Sequence, residues 1–456
     1  MPSSADSLIH EATSLYRLVD SIDRLVAEHE SIFAYTDATQ SFFEEIHTQA
    51  KATKAKVSGI TERALRTPEE SASRYLGELI IQKGRWKTLH TYVKPAIDAH
   101  TLNLPGPVIE MAKKHLGGIP GLEKPTGEGS GRQVVVLLTP HLMYYQRPES
   151  QLPAWLVFVE VPYSQGPGFF SNLTIYHELG HYVFDSLAAA QERGPAFAKL
   201  IGAQERAFAE NLHQAITTPS TRTWAKRVLD DWTKEIFCDL FALRHLGPAY
   251  AFALIDFLSL IGLMGEETEA KFDADHPAPA LRFREQLRRM EEDGWWKIVG
   301  GLSSEHVSLV KKLAAKTQYS FEFQEKSVPR FVEAFQTIIP FIHELVIEIT
   351  PHCGAAAEDF GRQRANVENC LLHGVVPSQL LVEGGALSPT PVSMINAAYC
   401  FYLTGLPRLI SRFEDQEDSN LKHRQNWVQR VESWTMKGIE DFQLLDASRE
   451  NTSSGN

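Results

Sequence analysis

The segment His177-Glu178-Leu179-Gly180-His181 constrains the fold of this chain more than any other stretch. Two histidines four residues apart on a helix project from the same face, so both rings can reach one metal ion. Glu178 follows the first histidine and lies beside that face, where it can accept a proton from a metal-bound water. The spacing is the H-E-x-x-H motif of zinc hydrolases, and two buried core histidines are the alternative interpretation.

The residues around this motif predict a helix. Apolar side chains recur at helical spacing over residues 173–187. His177 and His181 lie beside this apolar stripe, which we expect to face the core. A partial copy of the motif at residues 343–347 lacks the second histidine and is interpreted as ordinary helix.

The composition limits the classes of function. The chain has 456 residues, of which 43% are hydrophobic and 22% charged, as in a globular protein of two or three domains. Its formal net charge of -12 argues against binding to nucleic acid or to a membrane surface through a basic patch. The cysteines form no C-x-x-C pair, which favours a reducing compartment over a disulfide framework.

The sequence shows no pattern typical of targeting or of a membrane span. The N-terminus lacks a basic region followed by an apolar run, so we expect no signal peptide. The most apolar stretch, residues 249–265, is at the short limit for crossing a bilayer and contains Asp256. We interpret it as a buried helix and expect a cytoplasmic protein.

The pattern along the chain predicts three lobes and a tail. Residues 1–120 are expected to form an N-terminal helical lobe, and residues 125–290 a catalytic core with a small sheet. Residues 291–447 are expected to form a C-terminal helical lobe, followed by a disordered tail at 448–456. The predicted fold class is therefore α+β and predominantly helical.

Three local patterns add detail. Apolar residues alternate by four and three over residues 8–26, which favours an intramolecular bundle, with a homodimer through the N-terminal helices as the alternative. A second helix is predicted from Asp37 to Arg66. β-branched runs at 133–138 and 155–161 predict strands. The edge of the second strand could pair with an extended peptide substrate, or the strand could be purely structural.

A catalytic zinc site requires a third protein ligand. A metzincin motif would need glycine and histidine where this chain has Phe184 and Leu187. A glutamate from a second helix is the alternative, and Glu235 and Asp239 lie four residues apart in an apolar, helix-like segment. We predict that Glu235 binds the metal and that Asp239 accepts the free ring N–H of a ligand histidine.

These residues resemble a known family, the gluzincin metallopeptidases, and in particular its ImmA/IrrE-type group. The segments that carry the resemblance are His177–His181, Glu235–Ala242 and Leu246–Pro248, within about residues 155–285. The resemblance implies a zincin-like core with Glu235 as third zinc ligand and Asp239 behind a ligand histidine. Cys238 stands where the family usually has alanine, a change of one small residue for another.

A further segment, His276-Pro-Ala-Pro-Ala-Leu-Arg282, is similar to an H-P-x-x-x-x-R segment near the active site of some gluzincins. The resemblance implies that His276 contacts the substrate or transition state. A surface turn between two prolines is the alternative. Either His276 or Tyr182 could stabilise the oxyanion of an amide hydrolysis.

The sequence therefore predicts a zinc-dependent metallopeptidase, and specifically an endopeptidase acting on proteins or peptides. Glu178 is predicted to activate the zinc-bound water and then to protonate the leaving amine. Two other classes stay open: a structural or sensory zinc protein that acts as a binding scaffold, and a hydrolase of a non-peptide amide. A fourth protein ligand on the metal would favour the scaffold, whereas the base Glu178 favours the enzyme.

Overall fold

A computed structural model describes residues 4–30, 37–66, 68–101, 106–120, 122, 133–139, 144–146, 156–162, 168–190, 194–212, 218–323, 326–327, 331–353, 356–378, 380, 389–413 and 421–453. Helices predominate in these residues, and the strands form two small sheets. The predicted helix-rich α+β composition is confirmed. Contacts divide the chain into two compact units, Met1–Gly106 with Pro125–Pro167, and Pro107–Lys124 with Gly168–Asn456.

The first unit combines long helices with a small sheet. Its elements are α1 (Ser4–Glu30), α2 (Asp37–Arg66), α3 (Pro68–Thr101), β1 (Gln133–Thr139), β2 (Tyr144–Gln146) and β3 (Leu156–Pro162). The predicted helix over residues 37–66 is confirmed with the same bounds, and both predicted strands are confirmed to within one residue.

The apolar seam of α1 is buried inside this first unit. Leu15, Val19 and Ile22 have no exposed surface and share one core with residues of α2, α3, β1 and β3. A seam of this spacing needs a facing apolar surface, and here the same chain provides it. The intramolecular interpretation is confirmed, so this seam is not available to join two copies.

The strand β3 occupies the centre of its sheet. It pairs with β1 in parallel over its whole length and with β2 in antiparallel fashion at residues 158–160. The backbone of residues 158–160 is therefore paired on both sides. The prediction that this strand offers a free edge to a peptide is wrong for these residues, because β2 already occupies that position.

The second unit carries the other described elements. They are α4 (Gly106–Gly117), α5 (Ile175–Ala189), α6 (Pro195–Ala207), α7 (Pro219–Leu246), α8 (Pro248–Leu260), β4 (Lys271–Phe272), α9 (Pro279–Glu292), α10 (Trp295–Val299), α11 (Glu305–Ala314), β5 (Ser320–Phe323), β6 (Lys326–Ser327), α12 (Phe331–Gln336), α13 (Ile339–Ile349), α14 (Ala356–Leu372), α15 (Pro391–Thr404), α16 (Leu406–Phe413) and α17 (Leu421–Ser453). The second sheet has the order β4-β5-β6.

Two predicted boundaries differ from this arrangement. The strands β1 to β3 belong to the unit of the N-terminal helices, whereas they were expected in the catalytic core. The last helix, α17, continues to Ser453 where a disordered tail was expected, and residues 454–456 lie outside the described ones. The lobes at 1–120, 125–290 and 291–447 stay predictions.

The apolar stretch at 249–265 forms the helix α8 as far as Leu260, and the predicted burial is confirmed for residues 249–255 and Leu258, whereas Leu260 is exposed. Across the part of the chain that the structure describes, no helix is both long and apolar enough to cross a bilayer. The partial motif at residues 343–347 is also confirmed as ordinary helix, within α13. Its His343 contacts the Glu285 carboxylate at 3.2 Å.

A buried carboxylate of α17 holds the backbone that leads into α5. Glu432 accepts a hydrogen bond from the Phe170 backbone N–H at 3.0 Å, and a 3-10 turn, Ser171–Thr174, connects Phe170 to α5. Burial raises the pKa of Glu432 to about 7, although the N–H groups of Phe170 and Phe169 oppose the shift. Ionisation of this side chain is therefore unfavourable in the folded chain.

This geometry predicts a pH-dependent stability. A carboxyl group whose folded-state pKa exceeds its unfolded-state value favours folding below the unfolded pKa and loses that contribution as pH rises through about 7. Replacing Glu432 with glutamine keeps an acceptor but removes the charge. We expect E432Q to be more stable than the wild type at about pH 8, by roughly 1–3 kcal/mol, and to lose this advantage at about pH 4.

Thermal melting at the two pH values checks this expectation. The control is E440Q, because Glu440 lies on the same helix but is exposed. It should change the melting temperature little at either pH. Equal destabilisation by E432Q at both pH values would show that the hydrogen bond, and not the buried charge, determines the effect.

Candidate metal centre

The helix α5 presents both motif histidines to one point. The rings of His177 and His181 have centroids 5.0 Å apart and planes at 81°. The His177 side chain is almost fully buried, whereas that of His181 is 24% exposed. The site therefore faces solvent on the His181 side and the protein interior on the His177 side.

The helices α5 and α7 approach each other very closely beside these histidines. A Cβ atom on Gly180 would lie 2.8 Å from the Cα atom of Cys238, which is closer than real Cβ contacts allow. Only glycine permits this separation of the two backbones. The close crossing places Glu235, one turn earlier on α7, opposite both histidines.

The carboxylate of Glu235 contacts both imidazoles. Its Oε2 atom lies 3.4 Å from Nε2 of His177, and its Oε1 atom lies 3.3 Å from Nε2 of His181. Zinc bonds to nitrogen and oxygen of 2.0–2.2 Å imply tetrahedral ligand atoms separated by about 3.3–3.6 Å. The two measured separations match this range. Each separation involves a different oxygen of Glu235, and the three residues are candidate ligands of one zinc ion.

Asp239 fixes the orientation of His177 from behind. Its carboxylate contacts Nδ1 of His177 at 3.1 Å, and it accepts hydrogen bonds from the Tyr250 hydroxyl at 2.6 Å and from Nε and Nη2 of Arg282 at 2.7 Å each. An Nδ1–H that donates to Asp239 leaves Nε2 of His177 free for a metal. The contact between Asp239 and His177 is as predicted from the sequence.

Arg282 balances the charge of the two buried carboxylates. Its Nη1 atom also lies 3.3 Å from Oε2 of Glu235. Burial would raise the pKa of Asp239, but the Arg282 guanidinium and His177 outweigh it and lower the pKa to about 2. Glu235 has its pKa lowered well below the usual value by His177, His181 and Arg282, against the effect of burial. Both carboxylates are therefore ionised.

The same carboxylates act on His177. Burial alone would lower the pKa of its imidazole, but Glu235 and Asp239 raise it to about 10. In the absence of a cation the ring thus holds a proton that neutralises one carboxylate charge. A divalent cation would replace that proton, and such an exchange is usual for histidine ligands.

The predicted base Glu178 is buried on α5 directly after His177. Burial, together with the negative charges of Glu235 and Glu178, raises the pKa of the Cys238 thiol well above its usual value. Tyr182 is also buried on this helix. The roles of Glu178 and Tyr182 stay predictions.

His276 lies in the segment before α9, half exposed to solvent. Its Nδ1 atom is 3.4 Å from Oδ1 of Asp273. Hydrogen bonding to Asp273 raises the pKa of His276, with the more distant charge of Glu235 adding to the shift and burial and Arg282 opposing it. The observed contacts join His276 to Asp273, and its role in catalysis stays a prediction.

Three residues of this centre were not predicted as part of it. Arg282 ends the H-P-x-x-x-x-R segment, so its position in a motif was a usable signal. Tyr250 carries a hydroxyl on the apolar, buried first half of α8, where a hydroxyl needs a partner. Cys238 was treated as a small packing residue. Its Sγ atom and one nitrogen each of His177 and His181 all lie within 4.8 Å of one another, so they form a second candidate ligand set.

The close crossing predicts a steric effect at Gly180. G180A adds a methyl group that meets the Cys238 backbone, which cannot yield as a flexible side chain can. We expect it to lower stability by about 1–3 kcal/mol and to weaken zinc binding. The control is G202A on α6, where the nearest atom to a new Cβ is Nη1 of Arg206 at 3.6 Å. Melting temperature and zinc content are the measurements, and equal effects of both variants would contradict the role of the crossing.

The Asp239 contacts predict a ranked effect on metal affinity. D239N removes the charged partner at Nδ1 of His177 and one of the two carboxylates that Arg282 contacts, so we expect about 10–100-fold weaker zinc binding. Y250F removes a single donor at constant ring volume and should do less. Competition for zinc with a chromophoric chelator measures both variants. A larger loss in Y250F than in D239N would reverse the roles that the contacts indicate.

Comparison with protein-family models, with curated proteins and with solved structures found no match. The resemblance to gluzincins therefore depends on the motif residues themselves. The geometry adds that these residues, which lie on α5 and α7, meet around one point. It also adds Arg282 and Tyr250 as partners of Asp239.

Proposed function

We propose that this chain is a zinc-dependent metallopeptidase with a zincin-like core in its second unit. One observation carries the proposal: Nε2 of His177 and Nε2 of His181 lie 3.4 and 3.3 Å from the Glu235 carboxylate, and the buried Glu178 follows His177 on the same helix. A purely structural metal site does not require a buried carboxylate, such as that of Glu178, beside its ligands. Such a residue is what a hydrolytic site requires.

The ligands in this proposal are His177, His181 and Glu235. When bound, zinc polarises a substrate carbonyl and lowers the pKa of water toward neutrality. Asp239 and the groups that donate to it hold His177 in the tautomer and orientation that ligation needs. Because the partly exposed side of the site is that of His181, substrate enters from this side.

Glu178 moves the proton in this mechanism. Its carboxylate accepts a proton from the attacking water and transfers it to the leaving amine, so one residue acts as base and then as acid. His276 supplies a hydrogen bond to the oxyanion, since a raised pKa favours its protonated, donating form. The substrate is a peptide bond of a protein or peptide, and the enzyme acts in the cytoplasm, where its free cysteines stay reduced.

A second candidate function has a specific observation in its favour. The Sγ atom of Cys238 lies within 4.8 Å of ligand nitrogens of His177 and His181, so it could close the metal shell. A closed shell of protein ligands is typical of structural zinc, which would make the chain a structural or sensory zinc protein that serves as a binding scaffold. The buried Glu178 favours the peptidase.

Replacing the base separates these two functions. E178Q removes the proton acceptor but no metal ligand, so we expect unchanged zinc content and melting temperature with about 10²–10⁴-fold slower hydrolysis. H177A should lose zinc as well as activity. The substrates are a library of unstructured peptides and a cell lysate, with cleaved products identified by mass spectrometry.

The chain offers a matched control in its partial motif. E344Q changes a glutamate that also follows a histidine on a helix, but Glu344 is exposed and pairs with Lys199 on the surface. It should cleave as fast as the wild type. Equal cleavage by E178Q and wild type would exclude the proposed base, and stoichiometric zinc without cleavage of any peptide would favour the scaffold.

A further inference from the structure

We propose that Cys238 is a fourth ligand of the metal centre and holds it closed at rest. In this state the metal is bound by His177, His181, Glu235 and the Cys238 thiolate, and the position needed by water is occupied by sulfur. Hydrolysis then requires that the sulfur leaves the metal. The inference depends on the proposed metal site and adds to it a means of regulation.

The position of Cys238 on α7 supports this role. It lies three residues after Glu235 and one before Asp239, so all three side chains face α5. A Cβ atom on Gly180 would be 3.0 Å from the Cys238 Sγ atom, and Gly180 directly precedes His181. The sulfur is therefore directed at the stretch of α5 between the two histidines.

The distances allow ligation with a small movement. Sγ and the nearest usable nitrogens of His177 and His181 lie within 4.8 Å of one another. Zinc bonds of about 2.3 Å to sulfur and 2.0–2.1 Å to nitrogen imply a separation of about 3.5 Å in a tetrahedral site. A cysteine side chain can move its sulfur by the remaining ~1 Å through rotation about χ1. On binding, the S–H proton leaves to solvent and an S–metal bond forms.

The surroundings of Cys238 distinguish it from the other cysteines. Its side chain has no exposed surface, so the sulfur is shielded from outside reagents. Cys400 is likewise buried, on α15, but no histidine or carboxylate pair that the structure describes forms a candidate metal group with it. A buried small residue would suffice for packing against Gly180. Sulfur adds ligand chemistry that alanine lacks, and it favours zinc or cadmium over magnesium or manganese.

Cobalt substitution tests the inference independently of activity. The full-length protein is stripped of metal with a chelator and reloaded with Co²⁺, and its near-ultraviolet absorption is recorded. A thiolate ligand gives sulfur-to-cobalt charge transfer. We expect this band in the wild type and in C400A, and its loss in C238A. We also expect C238A to bind Co²⁺ at least about tenfold more weakly, since even loss of a residue behind a ligand costs this much.

The variant C238S and a measurement of peptide cleavage separate loss of a metal ligand from loss of folding. C238S keeps the size of the side chain and should fold like the wild type, without the charge-transfer band. C238A should also cleave peptides faster than the wild type, because its fourth position is open. Absence of the band in wild type, or its persistence in C238A, would overturn the role of Cys238.

The failure of this inference and that of the proposed function look different. A wild type that lacks the band but shows hydrolysis abolished in E178Q is a peptidase whose Cys238 only packs, which refutes the inference alone. A band lost in C238A, with no hydrolysis in any variant, supports Cys238 as a ligand and refutes the peptidase.

Discussion

The close crossing of α5 and α7 is the constraint on which the candidate centre depends. At Gly180 the two backbones approach to a separation that excludes any Cβ atom. With larger residues there, Glu235 would be held away from His177 and His181, and its contacts of 3.3–3.4 Å with their Nε2 atoms would be lost. The glycine within the motif therefore has a structural reason that is separate from the chemistry of the histidines.

The pairing of buried charges is the second constraint. Each buried charge of the centre is paired with a neighbouring group. Glu235, Asp239 and Arg282 are all buried in the second unit, where an unpaired charge would cost several kcal/mol. Arg282 contacts both carboxylates, and Tyr250 adds a neutral donor to Asp239. Because these partners come from α8 and α9, residues of four helices together determine the geometry of the metal residues.

The sequence predicted features that depend on local spacing, such as helices and motif faces. It did not predict contacts between residues that are brought together only by tertiary packing. Helical spacing located α2 and the face of His177 and His181, and a four-residue spacing on a second helix located Glu235 and Asp239. The partners of Asp239 come from residues 11 and 43 positions further on, distances at which periodicity carries no information. The central place of β3 likewise depends on which strands pair with it, and alternation of residues along one strand does not encode that choice.

The contacts that hold α5 in place help to distinguish a structural role of a bound metal from a catalytic one. Structural zinc sites commonly stabilise small domains that are unfolded without metal. Here Tyr176, Leu179 and Val183 on α5 are buried in an apolar core, and Glu432 holds the backbone before the helix. Arg282 and a protonated His177 already neutralise the carboxylates in the absence of a cation. The apolar core and the Glu432 contact hold α5 through residues outside the metal centre, so the position of this helix does not depend on the candidate ligands alone.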